Sequence, residues 1–472
     1  MSNRTDTPAP SAGSAYGLKF HGLHALGVER WNLLTPDLYE AALARGEGHL
    51  SAHGALVLRN DGPGRAHERL VVQEAVGDSA WWSECNQPIS EARFFGLHAR
   101  VAAYLQGRDV FVQDCHVGIE QPLPVRVITE TASNSLAARN LFMPLRTSEE
   151  MGAFVPEFTV IWCPLFRGAL EVDGTSSFAA LHLGARMGLL CGTSDARDLE
   201  DLVAAAMTYL LPMDGILPLP CRVDAGRHVF MGKGGQALAK GSAFHAWSDN
   251  GISAIFSGSC IESEADAPDH FGCVTCPSGA SGGGWQCVPS EGEGGNGHPS
   301  HLFLLVNDES GALPLIARLT PAQAAYYFLC AHGLRLASKG PLKDAFGSLL
   351  APVRHPGVYA DMLMLKLKRH GTRCWLVNTG LRQAEVHATL EELRRAVDAA
   401  ADGTLYAAPW ARNPVFGFEV PAWVPDCREV LVRQGPEGAQ RELASRLAAS
   451  ASRLAGGCSP EVLAAGPETQ VR

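Results

Sequence analysis

The spacing of apolar residues predicts which parts of the chain are helix and which are strand. In residues 35–45, TPDLYEAALAR, apolar side chains recur three to four apart, with Thr35 placed to cap and Pro36 in the first turn, which predicts a helix. SAHGALVLRN (51–60) then turns into a strand. The Val- and Ile-rich runs RDVFVQDCHV (108–117) and LPVRVITETA (123–132) predict strands, and SSFAALHLGAR (176–186) continues a mixed sheet. GRHVFMGKGG (226–235) predicts a strand that enters a glycine turn. HLFLLVND (301–308) and TRCWLVNTG (372–380) have the unbroken apolar character of buried strands. TPAQAAYYFLCAHGLRLA (320–337) and HATLEELRRAVDAAADG (387–403) read as amphipathic helices, the second closed near Gly403. Residues 277–300 are rich in Gly, Ser and Pro and predict a loop unable to pack a core. No internal repeat is visible. The alternation predicts an α/β, or mixed α+β, fold.

Composition narrows the class. A chain of 472 residues holds two to three domains' worth of core, and 46% apolar residues with a mean hydropathy near zero suit a soluble globular protein. The net charge of −10, without a basic stripe, argues against nucleic acid as a partner. No apolar run approaches the ~18 residues of a membrane span. The N-terminal MSNRTDTPAPSAGSAYG lacks the apolar core of a secretory signal and reads as a disordered tail, so the expected location is the cytoplasm.

Thirteen cysteines, an odd number, stand mostly in apolar contexts such as Cys163, Cys191, Cys330 and Cys374, as reduced core thiols do. Cys260, Cys273, Cys276 and Cys287 form a separate group, with CVTC giving one C-x-x-C and His270, His298 and His301 nearby. Four thiolates suit tetrahedral zinc, but no second C-x-x-C completes the pattern, so the stretch is read as an ordinary flexible insert and not a metal site. Residues 231–242, MGKGGQALAKGS, come close to a phosphate-binding loop: Gly235 to Ser242 follows G-x-x-x-x-G-K-[ST] with Lys240 and Gly241 transposed.

Longer stretches carry a resemblance. WNLLTPDLYEAALARGEGHLSAHGALVL, WWSECNQPIS, GRDVFVQDCHVGIEQPLPVRVITETASNSLAARNLFM, FVPEFTVIWCP, SSFAALHLGARMGLLCGT, MTYLLPMDGI, SGALPLIARLTPAQAAYYFL and LVNTG occur in that order over roughly residues 15–440. Together they resemble the ATP-dependent phosphoenolpyruvate carboxykinases. The resemblance implies a two-domain fold with a C-terminal P-loop-type mononucleotide-binding domain and an active site between the domains. It implies the gluconeogenic reaction of oxaloacetate with ATP to phosphoenolpyruvate, ADP and CO2, with Mn2+ or Mg2+ as metal. On this pattern residues 1–15 are a tail, 16–225 the N-terminal domain, 226–440 the C-terminal domain with a Gly/Ser-rich insert at 262–300, and 441–472 a C-terminal helix and tail.

The family's chemistry pairs an anionic enolate with an anionic γ-phosphate, which calls for cations. The substrate arginine of the family's T-G-R-S-P has a counterpart in GPGRAHER, at Gly64 and Arg65, where a guanidinium would clamp a carboxylate. The two lysines of Y-G-G-E-M-K-K-G become Glu200 and Asp201 in CGTSDARDLEDL, the tyrosine becomes Asp195, and no lysine lies between Met187 and Lys233. The M-H-C histidine becomes Pro220, beside a matching Cys221. Of D-D-E-H-G-W only His245 and Trp247 remain, with Asp249 the one nearby carboxylate. In the loop itself Gly232, Gly234 and Gly235 still permit a tight turn, but QALA is bulkier than the family's S-G-T-G, Lys240 falls about one turn late and Ser242 is displaced. LRQAEVH (381–387) replaces G-T-G-K-R, and no arginine lies between Arg227 and Arg318.

The core-forming segments thus match while the chemistry-bearing ones diverge, which predicts a carboxykinase-fold protein without ATP-dependent phosphoryl transfer, with no cofactor expected unless the family activity is retained. Two alternatives stand beside it. One is a metal-independent decarboxylase or lyase acting on a small C4 or related organic acid through Arg65 with Glu200, Asp201 or His245, Glu130 being a further acid. The other is an active carboxykinase with unusual ligands.

Overall fold

The structure is a computed structural model. It describes residues 16–467 except 59–68, 84, 121, 169–176, 233, 240–241, 264–270, 278–283, 290–296, 338–351, 384–385 and 430–434. The chain divides into two compact units, Met1–Ala206 with Ala254–Gly292, and Met207–Ser253 with Glu293–Arg472. Residues 254–292 therefore pack with the first unit, and position 225, the expected domain boundary, lies inside the second.

In the first unit a nine-stranded mixed sheet runs in the order Glu29–Trp31, Val110–Val117, Leu123–Thr129, Phe158–Cys163, Met187–Cys191, Phe178–His182, Arg69–Val72 and Asn86–Ile89, with Met143–Pro144 paired off this path to Val110–Val117. The three central strands Leu123–Thr129, Phe158–Cys163 and Met187–Cys191 are parallel to one another, and their residues are almost all buried, as strands covered on both faces require. Cys163 and Cys191 lie in that interior as expected of core thiols. The helix Ala132–Leu141 packs inside this unit with Ser133, Asn134, Ser135 and Asn140 buried too. Its first amides, Ala132 and Ser133, donate to the Glu47 carboxylate at 3.2 and 2.8 Å, an anion placed against the positive end of the helix.

A second, five-stranded sheet corrects the sequence reading of the cysteine segment. Its order is Gly258–Ser263, Gly284–Pro289, Val274–Pro277, Leu56–Leu58, Gly48–Leu50. The predicted flexible insert and the predicted loop from 277 thus contribute three paired strands. The physical reason is the run Trp-Gln-Cys-Val at 285–288, which hydrogen-bonds on both edges, to residues 258–263 on one side and 274–277 on the other. Gly and Ser dominate its flanks and mask it in composition.

The second unit is built on a seven-stranded sheet in the order Arg222–Val223, His228–Gly232, His301–Val306, Arg373–Asn378, Ile316–Leu319, Glu419–Pro421, Trp410–Arg412. His228–Gly232, His301–Val306 and Arg373–Asn378 are parallel neighbours, and Phe230, Phe303 and Trp375 stack along one face under the helix Leu390–Ala401. That helix starts on Thr389, whose hydroxyl and Glu392 form a reciprocal capping box, and Gly403 just beyond it takes φ +88°. The helix Pro321–Ala337 also forms as predicted. The first predicted helix spans Thr35–Ala44, but Thr35 is its first residue and not its cap; Leu34 holds the cap position without a side-chain bond.

Candidate functional site

In the first unit the loop after Met187–Cys191 leads into the helix Ala196–Leu210, whose start is fixed by polar contacts. The Trp162 indole N–H donates to the Thr193 carbonyl at 2.7 Å, and the Thr193 hydroxyl donates to Asp198 at 2.7 Å. Asp195 accepts the Arg197 amide at 3.0 Å and pairs with the Arg197 guanidinium, which also lies over the Trp285 ring, 4.1 Å from its centroid. Arg197 is thus held between a carboxylate and an aromatic face. Glu200 and Asp201 follow within the first two turns.

Two further groups adjoin them. Arg69 opens the strand Arg69–Val72 and is buried. It donates to Asn86 Oδ1 at 2.6 Å and to the Asp201 carbonyl at 3.4 Å. Cys260 faces Cys287 across the second sheet. Its hydrogen bond to Cys287, its dense surroundings and the negative charges of Glu200 and Asp195 together hold the Cys260 thiol well above the usual thiol range. Glu130 stands apart from this group. Its carboxylate accepts the Tyr104 hydroxyl at 2.7 Å and the Leu165 amide at 2.8 Å, and burial pushes its pKa up. Those bonds give it a scaffolding position under the 164–165 turn.

In the second unit the glycine turn does follow its strand. Gly232 ends the strand at φ +121°, where a Cβ would sit 2.3 Å from the Leu305 carbonyl oxygen, so only glycine fits. Gly234, at φ +96°, caps the four-residue helix Gly235–Leu238, whose end is held by Arg394 donating to the Ala237 carbonyl at 2.9 Å. At the same carboxyl edge of the parallel strands Asn378 donates to the carbonyls of Asp308 and Leu313 and accepts from the Asp308 amide, and the Thr379 hydroxyl donates to the Val306 carbonyl. This is the edge at which open α/β sheets bind ligands.

The remaining candidates in this unit are engaged locally. The Ser242 hydroxyl is buried, donating to the Phe244 carbonyl at 3.1 Å and accepting its amide at 3.3 Å. His245 is buried, with Nδ1 bonded to the Cys221 carbonyl at 2.9 Å, so that nitrogen carries the proton; burial lowers its pKa to about 4 and keeps the ring neutral. Asp249 is exposed and pairs with Arg369 at 3.2 Å and Lys366 at 3.5 Å. Arg65 and Lys240 lie outside the described residues, as do Gly64 and Lys233. Among the described residues no three His, Cys, Asp or Glu side chains group so as to hold a metal ion. The Ser242 hydroxyl and the His245 Nδ1 are thus both bonded to backbone partners.

The structure therefore brings Glu200 and Asp201 together with Arg69 in one unit, and Gly232, Gly234 and Gly235 together in the other. Sequence reasoning passed over Arg69, Asn86 and Trp285. Arg69 left one signal: a cation four residues after Arg65, opening the apolar strand RLVV.

Comparison with known proteins adds the following. The family profile described as phosphoenolpyruvate carboxykinase matches residues 28–238 and 287–429. The unmatched stretch between them holds Lys240, Ser242, His245 and Cys260. The chain is 33% identical to the phosphoenolpyruvate carboxykinase (ATP) of Thermus thermophilus, covering 95% of this chain and 99% of that protein. It is 34% identical to phosphoenolpyruvate carboxykinase (ATP) 1 of Salinibacter ruber, over 93% and 95% of the two chains. With the Geobacter sp. (strain M21) enzyme the figures are 33% identity over 87% and 89%.

Proposed function

Since the chain belongs to the phosphoenolpyruvate carboxykinase family, we propose that it is a member that has lost ATP-dependent phosphoryl transfer and keeps the scaffold for recognising a small organic acid. The observation that carries this reading is the charge of the helix Ala196–Leu210, which has Glu200 and Asp201 where the family has two lysines. A carboxylate pair opposes the approach of a γ-phosphate, and at partly buried depth each repulsion amounts to several kcal/mol. The Ser242 hydroxyl, turned onto the Phe244 carbonyl, supports the same reading. So does the break in the family match, which falls on the segment that ought to carry the lysine, hydroxyl and histidine. Removing one group that stabilises transition-state charge typically costs about 100- to 1,000-fold in rate, and several are replaced here.

The test is isothermal titration of the full chain with ATP, with and without Mn2+, beside an assay of phosphoenolpyruvate formation from oxaloacetate and of CO2 release without nucleotide. The expected result is no saturable ATP binding in the micromolar range and no phosphoenolpyruvate. Micromolar ATP affinity with oxaloacetate-dependent turnover would refute it and assign the P-loop role to Lys233 or Lys240. CO2 release without nucleotide would identify the repurposed decarboxylase.

A further inference from the structure

The three strands that replace the predicted loop bring two thiols face to face. Cys260 lies opposite Cys287 in the antiparallel pairing of Gly258–Ser263 with Gly284–Pro289. Antiparallel ladders alternate pairs that exchange two N–H···O bonds with pairs that exchange none. Pro289 pairs with Gly258 and has no N–H to give, so that pair is of the non-bonded kind, and two steps along so is Cys260 with Cys287. The other edge of the same strand agrees. Pro277 pairs with Gly284, which makes that pair non-bonded and, three steps along, Val274 with Cys287 a bonded one. A residue whose amide and carbonyl serve one neighbour leaves its other side non-bonded, and for Cys287 that side faces Cys260. At such positions the Cα atoms stand about 4.5 Å apart with the side chains at their closest, inside the roughly 4.4–6.8 Å that a disulfide spans.

The register thus sets the two thiol side chains side by side. The Cys287 thiol donates to the Ala137 carbonyl at 3.5 Å, and Cys260 hydrogen-bonds to Cys287. Cys260 is partly exposed whereas Cys287 is buried, so an external reagent meets Cys260 first. We propose that Cys260 and Cys287 form a reversible disulfide, a redox latch joining the strand Gly284–Pro289, which carries Trp285, to the strand Gly258–Ser263. The reagent class is a low-molecular-weight disulfide. The Cys260 sulfur attacks one of its sulfurs, whose S–S bond breaks and releases one thiolate; the Cys287 sulfur then displaces the second thiolate from Cys260. Two protein thiols are oxidised, the reagent is reduced to two thiols, and these take up the two protons. The negative charges of Glu200 and Asp195 oppose the thiolate that must attack and so slow the step. Cys163 and Cys191 serve as an internal contrast: they are also neighbours in register, but both are fully buried.

The experiment treats the native full-length chain with oxidised glutathione, blocks remaining thiols with N-ethylmaleimide and maps peptides by mass. The expected product is a 260–287 crosslink that dithiothreitol removes, with Cys163 and Cys191 unlinked. Cys260→Ser and Cys287→Ala each abolish it while melting as cooperatively as the parent. Glu200→Gln forms it faster near neutral pH, because one of the negative charges opposing the attacking thiolate is gone. A persistent glutathione adduct on Cys260 with Cys287 free, a crosslink between other cysteines only, no crosslink in folded protein, or a rate unchanged in Glu200→Gln would each overturn the proposal.

Discussion

Arg126→Met tests how the first unit tolerates charge in its interior. Arg126 and Asp114 face each other across the strands Val110–Val117 and Leu123–Thr129, and both side chains are 0% exposed. The guanidinium donates from Nε to Oδ1 at 2.6 Å and from Nη2 to Oδ2 at 3.0 Å, and its Nη1 donates to the Tyr16 carbonyl. The Trp31 ring lies 4.9 Å away. Removing the arginine leaves a carboxylate with no counter-charge in a site that already pushes its pKa up by burial. Breaking a buried pair from one side costs about 3–5 kcal/mol, a large share of an ordinary domain's stability. The variant's Asp114 then titrates above its unfolded value, so the folded state holds a proton that the unfolded state releases, and the deficit grows as pH rises from about 4 to 7. Asp114→Asn in the Arg126→Met background removes the charge and recovers most of the loss. The assay is urea denaturation of the first unit followed by tryptophan fluorescence at several pH values. A double variant as unstable as Arg126→Met, or a deficit independent of pH, would refute the argument.

Acid should weaken the whole chain early. Burial lowers His21, His245 and His301 to about 4, so these rings stay neutral in the folded state while their unfolded counterparts take protons. Their stability is present above pH 6.5 and lost as pH falls below it, by about 3 kcal/mol for His245 alone near pH 4; denaturation midpoints unchanged between pH 7.5 and 5 would contradict this. Gly232→Ala should lower stability by at least about 1–3 kcal/mol, because the residue sits at φ +121° and the new methyl meets the Leu305 carbonyl; a melting temperature equal to the parent's would show that the turn can rearrange.

Much of the fold was legible in the chain. Strands such as His301–Val306 and Arg373–Asn378 announce themselves because burial on both faces demands unbroken apolar runs, and the Leu390–Ala401 helix because its period and its Thr389–Glu392 box are local. Gly232 and Gly234 were readable for the same reason: positive φ is a demand on one residue at a time. The reading of Glu200, Asp201 and Pro220 against the family's lysines and histidine rests on the order of residues along the chain alone. What the sequence could not settle is pairing over distance. That Val274 lies beside Leu56, that Cys260 meets Cys287, and that Arg197 rests on Trp285 depend on which edges remain open after other strands have formed. The roles of Ser242 and His245 were undecidable for a related reason. A hydroxyl or an imidazole has the same residue letter whatever it bonds, and only the packed structure, in which most buried polar groups find a partner, pairs Ser242 with Phe244 and the His245 Nδ1 with Cys221.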